Sequence, residues 1–331
     1  PGAGTDPGPF FHRISLDDHL TLSHNPRMKL ITFTQGTDPR PGLALSETVG
    51  IDLLAADPSL PGNWHVLFAD LSPVRQVHRQ HVDRLVEMET LVAAGQDLPT
   101  PFVKIGPQGA VLLAPAILPS KIICVGLNYR DHAEEQNKAL PANPMLFSKA
   151  PTCLQAPDFP ISIAEDLTQV DAEGELAVII GRAGRAIKRE NAADHIAGYT
   201  CFNDVSDREA QYADKQYFRG KSIDTGGPCG PWIVTPDELP EFAHGLNIQC
   251  RWNGKIMQKS NTEQLIFPVD HLIAYASKNM TLLPGDIIST GTPGGVGVFR
   301  KPQVFLQPGD TVTIDIEKIG ELTNPVVEEK V

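Results

Sequence analysis

The chain has 331 residues, of which 41% are hydrophobic and 21% charged, as expected for a globular protein with one large or two unequal domains. Its formal net charge of −12, with no basic run, argues against nucleic acid as a partner. No apolar run approaches the roughly 18 residues of a membrane-spanning helix. The five cysteines are odd in number and lack a C-x-x-C pair, so we expect free thiols in a reducing compartment, the cytoplasm or the mitochondrial matrix.

Turn residues divide the chain into three predicted segments. Residues 1–27 show no periodic pattern and are interpreted as an extension that is disordered or removed by processing. Residues 28–115 are predicted to form a small N-terminal α/β domain and a linker. Residues 116–331 are predicted to form the larger domain.

Within the first of these domains, short strands are expected before residue 55. A helix is predicted to begin at Ser72-Pro73, where serine caps and proline suits the first turn, and to stop at Gly95. Proline recurs through residues 96–119, which we interpret as a linker that contains one strand, Ala110–Leu113.

The larger segment alternates short β-branched runs with turns and shows no parallel βαβ rhythm, so we expect an antiparallel or mixed sheet. Ser206 and Glu209 are spaced as a capping box and predict a helix start. A second, polar helix is predicted over Arg130–Lys138. The predicted strands are Ile122–Val125, Met145–Phe147, Leu176–Ile180, Tyr199–Phe202, Ile287–Thr290 and Thr311–Ile314.

Two acids precede the strand Leu176–Ile180. Because strand side chains alternate between faces, Glu173 and Glu175 point the same way, and a hard divalent cation such as Mg²⁺ or Mn²⁺ would relieve their repulsion. The same spacing also suits a solvated strand face. Asp204 ends another strand and either caps the next helix or completes a three-carboxylate site. Asp171 is a reserve ligand on the face of Glu173.

His132 and Glu135 are three residues apart on the predicted helix Arg130–Lys138 and therefore share one of its faces. A carboxylate that holds an imidazole fixes its tautomer and raises its basicity, which is the minimal general-base unit. A chance pairing on a surface helix fits the same spacing.

Polar residues downstream are candidates for substrate contacts. The helix after Ser206 places Arg208 and Gln211 on adjoining faces, and Lys221 follows a glycine that allows close approach of a ligand. The glycine-rich stretch 291–297 is too irregular for a dinucleotide fingerprint. Its N–H groups and the Thr292 hydroxyl suit a carboxylate, although a plain structural turn explains the stretch equally well.

These motifs, taken together and in this order, resemble the fumarylacetoacetate hydrolase family. The resemblance runs from about Lys121 to Val326. The motifs that carry it are Cys124-Val-Gly-Leu-Asn-Tyr-x-x-His132-x-x-Glu135, Glu173-x-Glu175-Leu, Asn203-Asp204-Val-Ser-x-Arg208, Gly220-Lys221-Ser-x-Asp224, Gly230-Pro-Trp, Pro284-Gly-Asp and Gly291-Thr-Pro-x-Gly-Val-Gly297.

The resemblance implies an α+β, mainly β fold, a mixed β-sandwich roll, and a homodimer. It also implies Mg²⁺ or Mn²⁺ held by Glu173, Glu175 and Asp204, with a His132–Glu135 dyad on a mobile lid. Lys221 is the third catalytic residue that we infer. The residues expected to contact the substrate are Arg208, Gln211 and Thr292.

The function that follows is that of a metal-dependent enzyme acting on small 2-oxo acids through an enolate. Hydrolysis of a C–C bond in substrates of the acylpyruvate or fumarylacetoacetate type is our first expectation. Keto–enol tautomerisation or decarboxylation of oxaloacetate is the alternative, because these reactions share a site. A non-catalytic oxo-acid-binding scaffold is a third hypothesis.

Overall fold

The computed structural model describes residues 27–116 and 118–330, so the predicted extension lies almost entirely outside the described residues. The strands in this part of the chain are β1 (Lys29–Thr34), β2 (Arg40–Ala44), β3 (Val49–Asp52), β4 (Phe102–Lys104), β5 (Val111–Leu113), β6 (Ile122–Gly126), β7 (Met145–Lys149), β8 (Leu154–Gln155), β9 (Ile161–Ile163), β10 (Val170–Asp171), β11 (Gly174–Ile180), β12 (Ile196–Asn203), β13 (Ser206–Asp207), β14 (Gly227–Val234), β15 (Asn247–Trp252), β16 (Lys255–Asn261), β17 (Ile287–Ser289), β18 (Thr311–Ile316) and β19 (Gly320–Glu328). The α-helices are α1 (Leu53–Ala56), α2 (Trp64–Leu67), α3 (Ser72–His81), α4 (Leu85–Ala93), α5 (Arg130–Glu135), α6 (Arg208–Ala213) and α7 (Val269–Ser277).

Two large sheets organise these strands. The larger sheet follows the order β4-β3-β2-β1-β14-β12-β11-β17-β6-β7, with β5 on β1 and β8 on β14, and the smaller follows β16-β15-β18-β19-β9. Most pairs are antiparallel, but three are parallel: β17 with β6, β14 with β8 and β19 with β9. The predicted mainly β fold with mixed sheets is therefore confirmed.

Strand β11 lies inside the larger sheet and is buried on both faces. Leu176, Val178 and Ile180 belong to the core that also contains residues of the smaller sheet. Ala177 and Ile179 belong to the core under the N-terminal helices. This burial explains why β11 reads as one continuous apolar run rather than an alternating one. It also fixes the position of the acids at its N-terminal end.

The N-terminal strands join the same sheet, because β1 pairs with β14 through Lys29 and Val234. The expected linker 96–119 contains β4 and β5, which pair with β3 and β1. The division into 28–115 and 116–331 stays a prediction. The predicted helix after Ser72 is present but is divided into α3 and α4 by a short 3₁₀ turn.

Local helix signals were only partly right. The helix α6 is capped by Asp207, whose side chain accepts from the backbone N–H groups of Glu209 and Ala210. The hydroxyl of Ser206 instead donates to the carbonyl of Asp204, so the predicted capping box is wrong. The polar helix α5 ends at Glu135, three residues earlier than expected. Among the described residues, no helix is long and apolar enough to cross a membrane.

Candidate active site

Three buried acids meet where β11 begins and β12 ends. The register pairs Gly174 with Asn203, which brings the residues beside them together. The Asp204 N–H donates to the Glu173 carbonyl at 2.9 Å. Glu173, Glu175 and Asp204 each offer a carboxylate oxygen, and these oxygens all lie within 4.8 Å of one another. Glu173 and Glu175, which strand alternation predicted to share a face, therefore lie together with Asp204.

Two lysines form ion pairs with this cluster, one at each oxygen of Asp204. The Lys221 Nζ atom lies 2.7 Å from Glu173 Oε2 and 2.7 Å from Asp204 Oδ2. The Lys149 Nζ atom donates to Asp204 Oδ1 at 2.8 Å, and its side chain has no exposed surface. Sequence reasoning missed Lys149. The signal available was a single lysine following the apolar strand residues Met145–Phe147.

The surroundings of Glu173 and Glu175 shift their pKa values in opposite directions. Burial raises the pKa of Glu173, but Lys221 and Arg208 outweigh it and lower that pKa to about 2. Burial, followed by the charges of Asp204 and Glu173, raises the pKa of Glu175 well above its usual value. Glu175 accepts hydrogen bonds from Ser289 Oγ at 2.5 Å and from the Gly291 N–H at 2.9 Å, but forms no ion pair among the described residues. Its negative charge is the uncompensated one.

The residues present fit a divalent cation. Three carboxylates offer oxygen donors, which hard cations such as Mg²⁺ and Mn²⁺ prefer. Glu175 gives the independent sign of such a fit: unlike Glu173 and Asp204 it has no cationic partner among the described residues, and an ion among the acids would supply one. The identity of the cation stays a prediction.

Asp171 does not join this cluster. Its Oδ2 atom accepts from Arg208 Nε at 3.0 Å and Nη2 at 2.6 Å. The backbone N–H groups of Gly297 and Val298 donate to the same carboxylate at 2.9 and 3.0 Å. With all these donors on it, Asp171 anchors an arginine and a loop, and its expected role as a reserve ligand has no support.

Arg208 contacts three polar side chains of the site. Besides Asp171, its guanidinium contacts Glu173 Oε1 at 2.7 Å and Gln211 Oε1 at 2.9 Å. Burial lowers the pKa of Arg208, but Asp171 and Glu173 outweigh it and raise the pKa above its usual value, so the side chain stays charged. Arg208 and Gln211 both line the cavity, but the guanidinium of Arg208 already contacts protein groups. Their contact with a substrate stays a prediction.

The dyad forms as the spacing predicts. His132 Nδ1 lies 2.6 Å from Glu135 Oε1. The Gln136 amide nitrogen lies 2.9 Å from His132 Nε2 and 3.3 Å from the His132 carbonyl. A carbonyl oxygen only accepts, so the amide donates, and Nε2 is then the unprotonated nitrogen. His132 therefore carries its proton on Nδ1, toward Glu135, and keeps its lone pair on Nε2.

The glycine-rich loop 291–298 holds carboxylates, but they belong to the protein itself. The Gly295 N–H donates to Glu135 Oε2 at 2.8 Å, and the Gly294 N–H donates to Asp131 Oδ1 at 3.2 Å. Gly295 has φ +107°, and a Cβ there would lie 2.3 Å from the Met257 carbonyl oxygen, so only glycine fits. The loop thus ties helix α5 to the acids.

Thr292, in the same loop, uses its hydroxyl for two hydrogen bonds within the protein. Its hydroxyl donates to the Gly174 carbonyl at 3.0 Å and accepts from Gln258 Nε2 at 2.7 Å. The hydroxyl oxygen keeps a second lone pair, and Thr292 lines the cavity, so a further hydrogen bond to the hydroxyl is open.

A cavity of about 190 Å³ connects these groups. His132, Glu173, Glu175, Lys221 and Thr292 line it, while Asp204 lies deeper with no exposed surface. Its other walls are mostly apolar or aromatic, with the ring of Phe299 centred 5.9 Å from the His132 ring. The volume is smaller than the roughly 300–1,000 Å³ of pockets for drug-sized ligands, which favours a substrate of few atoms.

Comparison with known proteins identifies a family and several relatives of this chain. The chain matches the family described as Fumarylacetoacetate (FAA) hydrolase C-terminal over residues 121–327. The mitochondrial oxaloacetate tautomerase fahd2 of Xenopus laevis is 41% identical over 327 residues, which cover 95% of this chain and 97% of that protein. The human mitochondrial oxaloacetate tautomerase FAHD2A is 46% identical over 217 residues, covering 65% of this chain and 69% of that protein.

Solved structures share the fold. A fumarylacetoacetate hydrolase from Exiguobacterium antarcticum superposes with a TM-score of 0.74 at 34% identity, covering 91% of this chain and all of that one. A 5-carboxymethyl-2-hydroxymuconate delta-isomerase from Mycobacterium smegmatis gives 0.67 at 34% identity, covering 92% of this chain and all of that one. The resemblance drawn from the motifs is confirmed: this chain is an enzyme of the fumarylacetoacetate hydrolase family.

Proposed function

We propose that this protein catalyses the keto–enol tautomerisation of oxaloacetate. The observation that carries the proposal is the pairing of one base, His132, with a buried acidic cluster in a small shared cavity. Moving a proton between carbon and oxygen needs a base and a polarising site, and does not need an activated water. The oxaloacetate tautomerase names of relatives at 41–46% identity support the same reaction.

The acids Glu173, Glu175 and Asp204 would hold one Mg²⁺ or Mn²⁺. When bound, this ion supplies Lewis acidity and a template for the carboxylate and 2-oxo oxygens of the substrate. The proposal rests on the donor set and on the uncompensated charge of Glu175.

His132 is the proposed base through Nε2, the nitrogen that carries the lone pair. It would take a proton from C3 of the keto form, the electrons of that C–H bond would form the C2–C3 double bond, and the π electrons of the C2 carbonyl would move to its oxygen. The enolate oxygen would gain a proton from solvent to give the enol, and the imidazolium would return its proton to solvent. Glu135 would stabilise the transient imidazolium through Nδ1. Gln136 must release Nε2 for this transfer, because its amide occupies the lone pair.

Lys221 is proposed to stabilise negative charge on the substrate rather than to accept a proton. Burial lowers its pKa, but Asp204 and Glu173 outweigh this and raise the pKa above its usual value. The side chain therefore stays an ammonium. Two of its three N–H groups reach Glu173 and Asp204, which leaves one donor for an oxygen of the substrate.

Hydrolysis of an acylpyruvate remains the second candidate, because a structural relative at a TM-score of 0.74 is named a fumarylacetoacetate hydrolase. The test is to incubate the protein and Mg²⁺ with enol-oxaloacetate, keto-oxaloacetate or acetylpyruvate and to follow the products by NMR. The exposed His244 offers a matched control: His244→Ala should keep the activity that His132→Ala loses. Pyruvate plus acetate from acetylpyruvate would support hydrolysis, and pyruvate plus CO₂ from oxaloacetate would support decarboxylation.

Two further expectations belong to this proposal. The mitochondrial relatives favour the mitochondrial matrix among the compartments considered, and all five cysteines are buried and free. We also propose a homodimer, which light scattering of the purified protein would test.

A further inference from the structure

The cavity is lined by cations of two kinds. Arg208 and Lys221 are buried, and their charges face Asp171, Glu173 and Asp204. Lys138 also lines the cavity, but it is exposed, and within 27–116 and 118–330 no carboxylate pairs with it. Among the described residues, it is therefore the one basic group at this cavity that has no carboxylate partner, since His132 also contacts one, that of Glu135.

The position of Lys138 follows from the way helix α5 ends. Asn137 adopts the left-handed conformation, φ 52°, just after the C-cap Gln136. The Asn137 N–H donates to the Glu134 carbonyl and the Lys138 N–H to the Ala133 carbonyl, both at 3.0 Å. This pair of hydrogen bonds is a Schellman motif, which fixes the residue after the left-handed position relative to the helix. Lys138 is thus held to the helix that carries the His132–Glu135 dyad.

We propose that Lys138 determines specificity by binding the second carboxylate of a dicarboxylic 2-oxo acid. The proposal rests on the tautomerase function above, in which the 2-oxo acid end of the substrate lies at the acidic cluster. The carboxylate at the other end then needs a cation, and the buried Arg208 and Lys221 are already paired with protein acids. Lys138 supplies that charge from the end of helix α5, so the base and the residue that determines specificity lie on one element.

The test compares two substrates that differ only at this end. Oxaloacetate has a carboxylate where acetylpyruvate has an acetyl group of nearly the same shape. Lys138→Met should lower kcat/KM for enolisation of oxaloacetate by about tenfold, the low end for a charge-assisted hydrogen bond, and leave acetylpyruvate nearly unchanged. Lys138→Arg should restore part of the preference. Lys255 is an exposed lysine outside the cavity, so Lys255→Met is the matched control. It should leave kcat/KM unchanged for both substrates.

A binding measurement separates this inference from the proposed function. Calorimetric affinities for oxaloacetate and acetylpyruvate, with Mg²⁺ present, report the role of Lys138 whether or not the protein enolises either compound. A selective loss of oxaloacetate affinity in Lys138→Met supports the inference even if tautomerase activity is absent. Equal losses for both compounds, or none, overturn it even if the wild type is an active tautomerase. Oxalate, which lacks the distal carboxylate, should bind wild type and Lys138→Met equally.

Discussion

Lys149→Met removes the buried ammonium that faces Asp204 and keeps a side chain of similar length. Both side chains are fully buried, and Lys149 is the only donor to Asp204 Oδ1 among the described residues. Asp204 keeps Lys221 at Oδ2, so the variant leaves the buried cluster with one more negative charge than its cations balance. Breaking a buried ion pair from one side costs about 3–5 kcal/mol in the free energy of unfolding. At about 2 °C per kcal/mol for a chain of this size, the melting temperature should fall by about 6–10 °C.

Denaturant unfolding and thermal melting, both in EDTA, measure this effect. Arg75→Met is the control, because Arg75 pairs with Asp237 at 2.6 Å on the surface, where such pairs contribute less than about 1 kcal/mol. Adding Asp204→Asn to Lys149→Met should recover part of the lost stability, since a neutral amide no longer needs the ammonium. If Lys149→Met unfolds within about 1 kcal/mol of the wild type, Asp204 does not depend on this pair and the reasoning fails.

Mg²⁺ adds a second readout to the same variant. Without Lys149 the acids carry one more uncompensated negative charge, so the cation should bind more tightly and raise the melting temperature more than in the wild type. An equal Mg²⁺-induced shift in both proteins would argue against a cation among these acids.

Three other predictions concern the cluster and the dyad. Glu173→Ala should weaken Mg²⁺ binding and turnover together, because it removes one of three oxygen ligands; calorimetry and a tautomerisation assay measure the two effects. His132→Ala should leave Mg²⁺ affinity nearly unchanged and lower kcat by about 10²–10⁴-fold in steady-state assays, while Glu135→Gln should do less harm. Gln136→Glu should lower kcat more than Gln136→Met, because a carboxylate at Nε2 favours a protonated ring without a lone pair; nitrogen-15 NMR of the histidine ring reports that state directly.

Each of these three predictions would be contradicted by a specific result. Unchanged Mg²⁺ affinity in Glu173→Ala would remove Glu173 from the ligand set. Full activity of His132→Ala on every substrate of the wild type would end the general-base assignment. A His132 ring protonated on Nε2 in the wild-type protein would contradict the role given to Gln136.

The acidic cluster could be predicted because its members sit in recognisable local contexts. Glu173 and Glu175 precede a clear β-branched strand, Asp204 ends another, and the family motifs connect them. Lys149 could not be predicted, since a lysine at the end of a strand usually lies in solvent. Only the tertiary fold brings Lys149, on β7, to Asp204 after β12.

Dependence on the tertiary fold also explains the other differences between the predicted and the observed structure. Ser206 and Asp207 are both good helix caps, and local sequence does not choose between them; Ser206 instead donates to the Asp204 carbonyl. The proline-rich stretch 96–119 reads as a linker because its strands are short. Their pairing with β1 and β3 depends on contacts distant in the chain. The stretch 291–297 was left open between a carboxylate-binding loop and a plain turn. Its N–H groups do donate to carboxylates, but to those of the protein itself, which only the fold identifies.

The most direct test of the account follows the proton itself. Keto-oxaloacetate is incubated with the enzyme and Mg²⁺ in D₂O for a time too short for uncatalysed exchange, then trapped by enzymatic reduction to malate and examined by NMR. A single base at His132 Nε2 predicts that one C3 position gains deuterium stereospecifically, with no pyruvate formed, and that His132→Ala loses this exchange. Deuterium at both C3 positions without preference, or conversion to pyruvate in place of exchange, would contradict the tautomerase proposal.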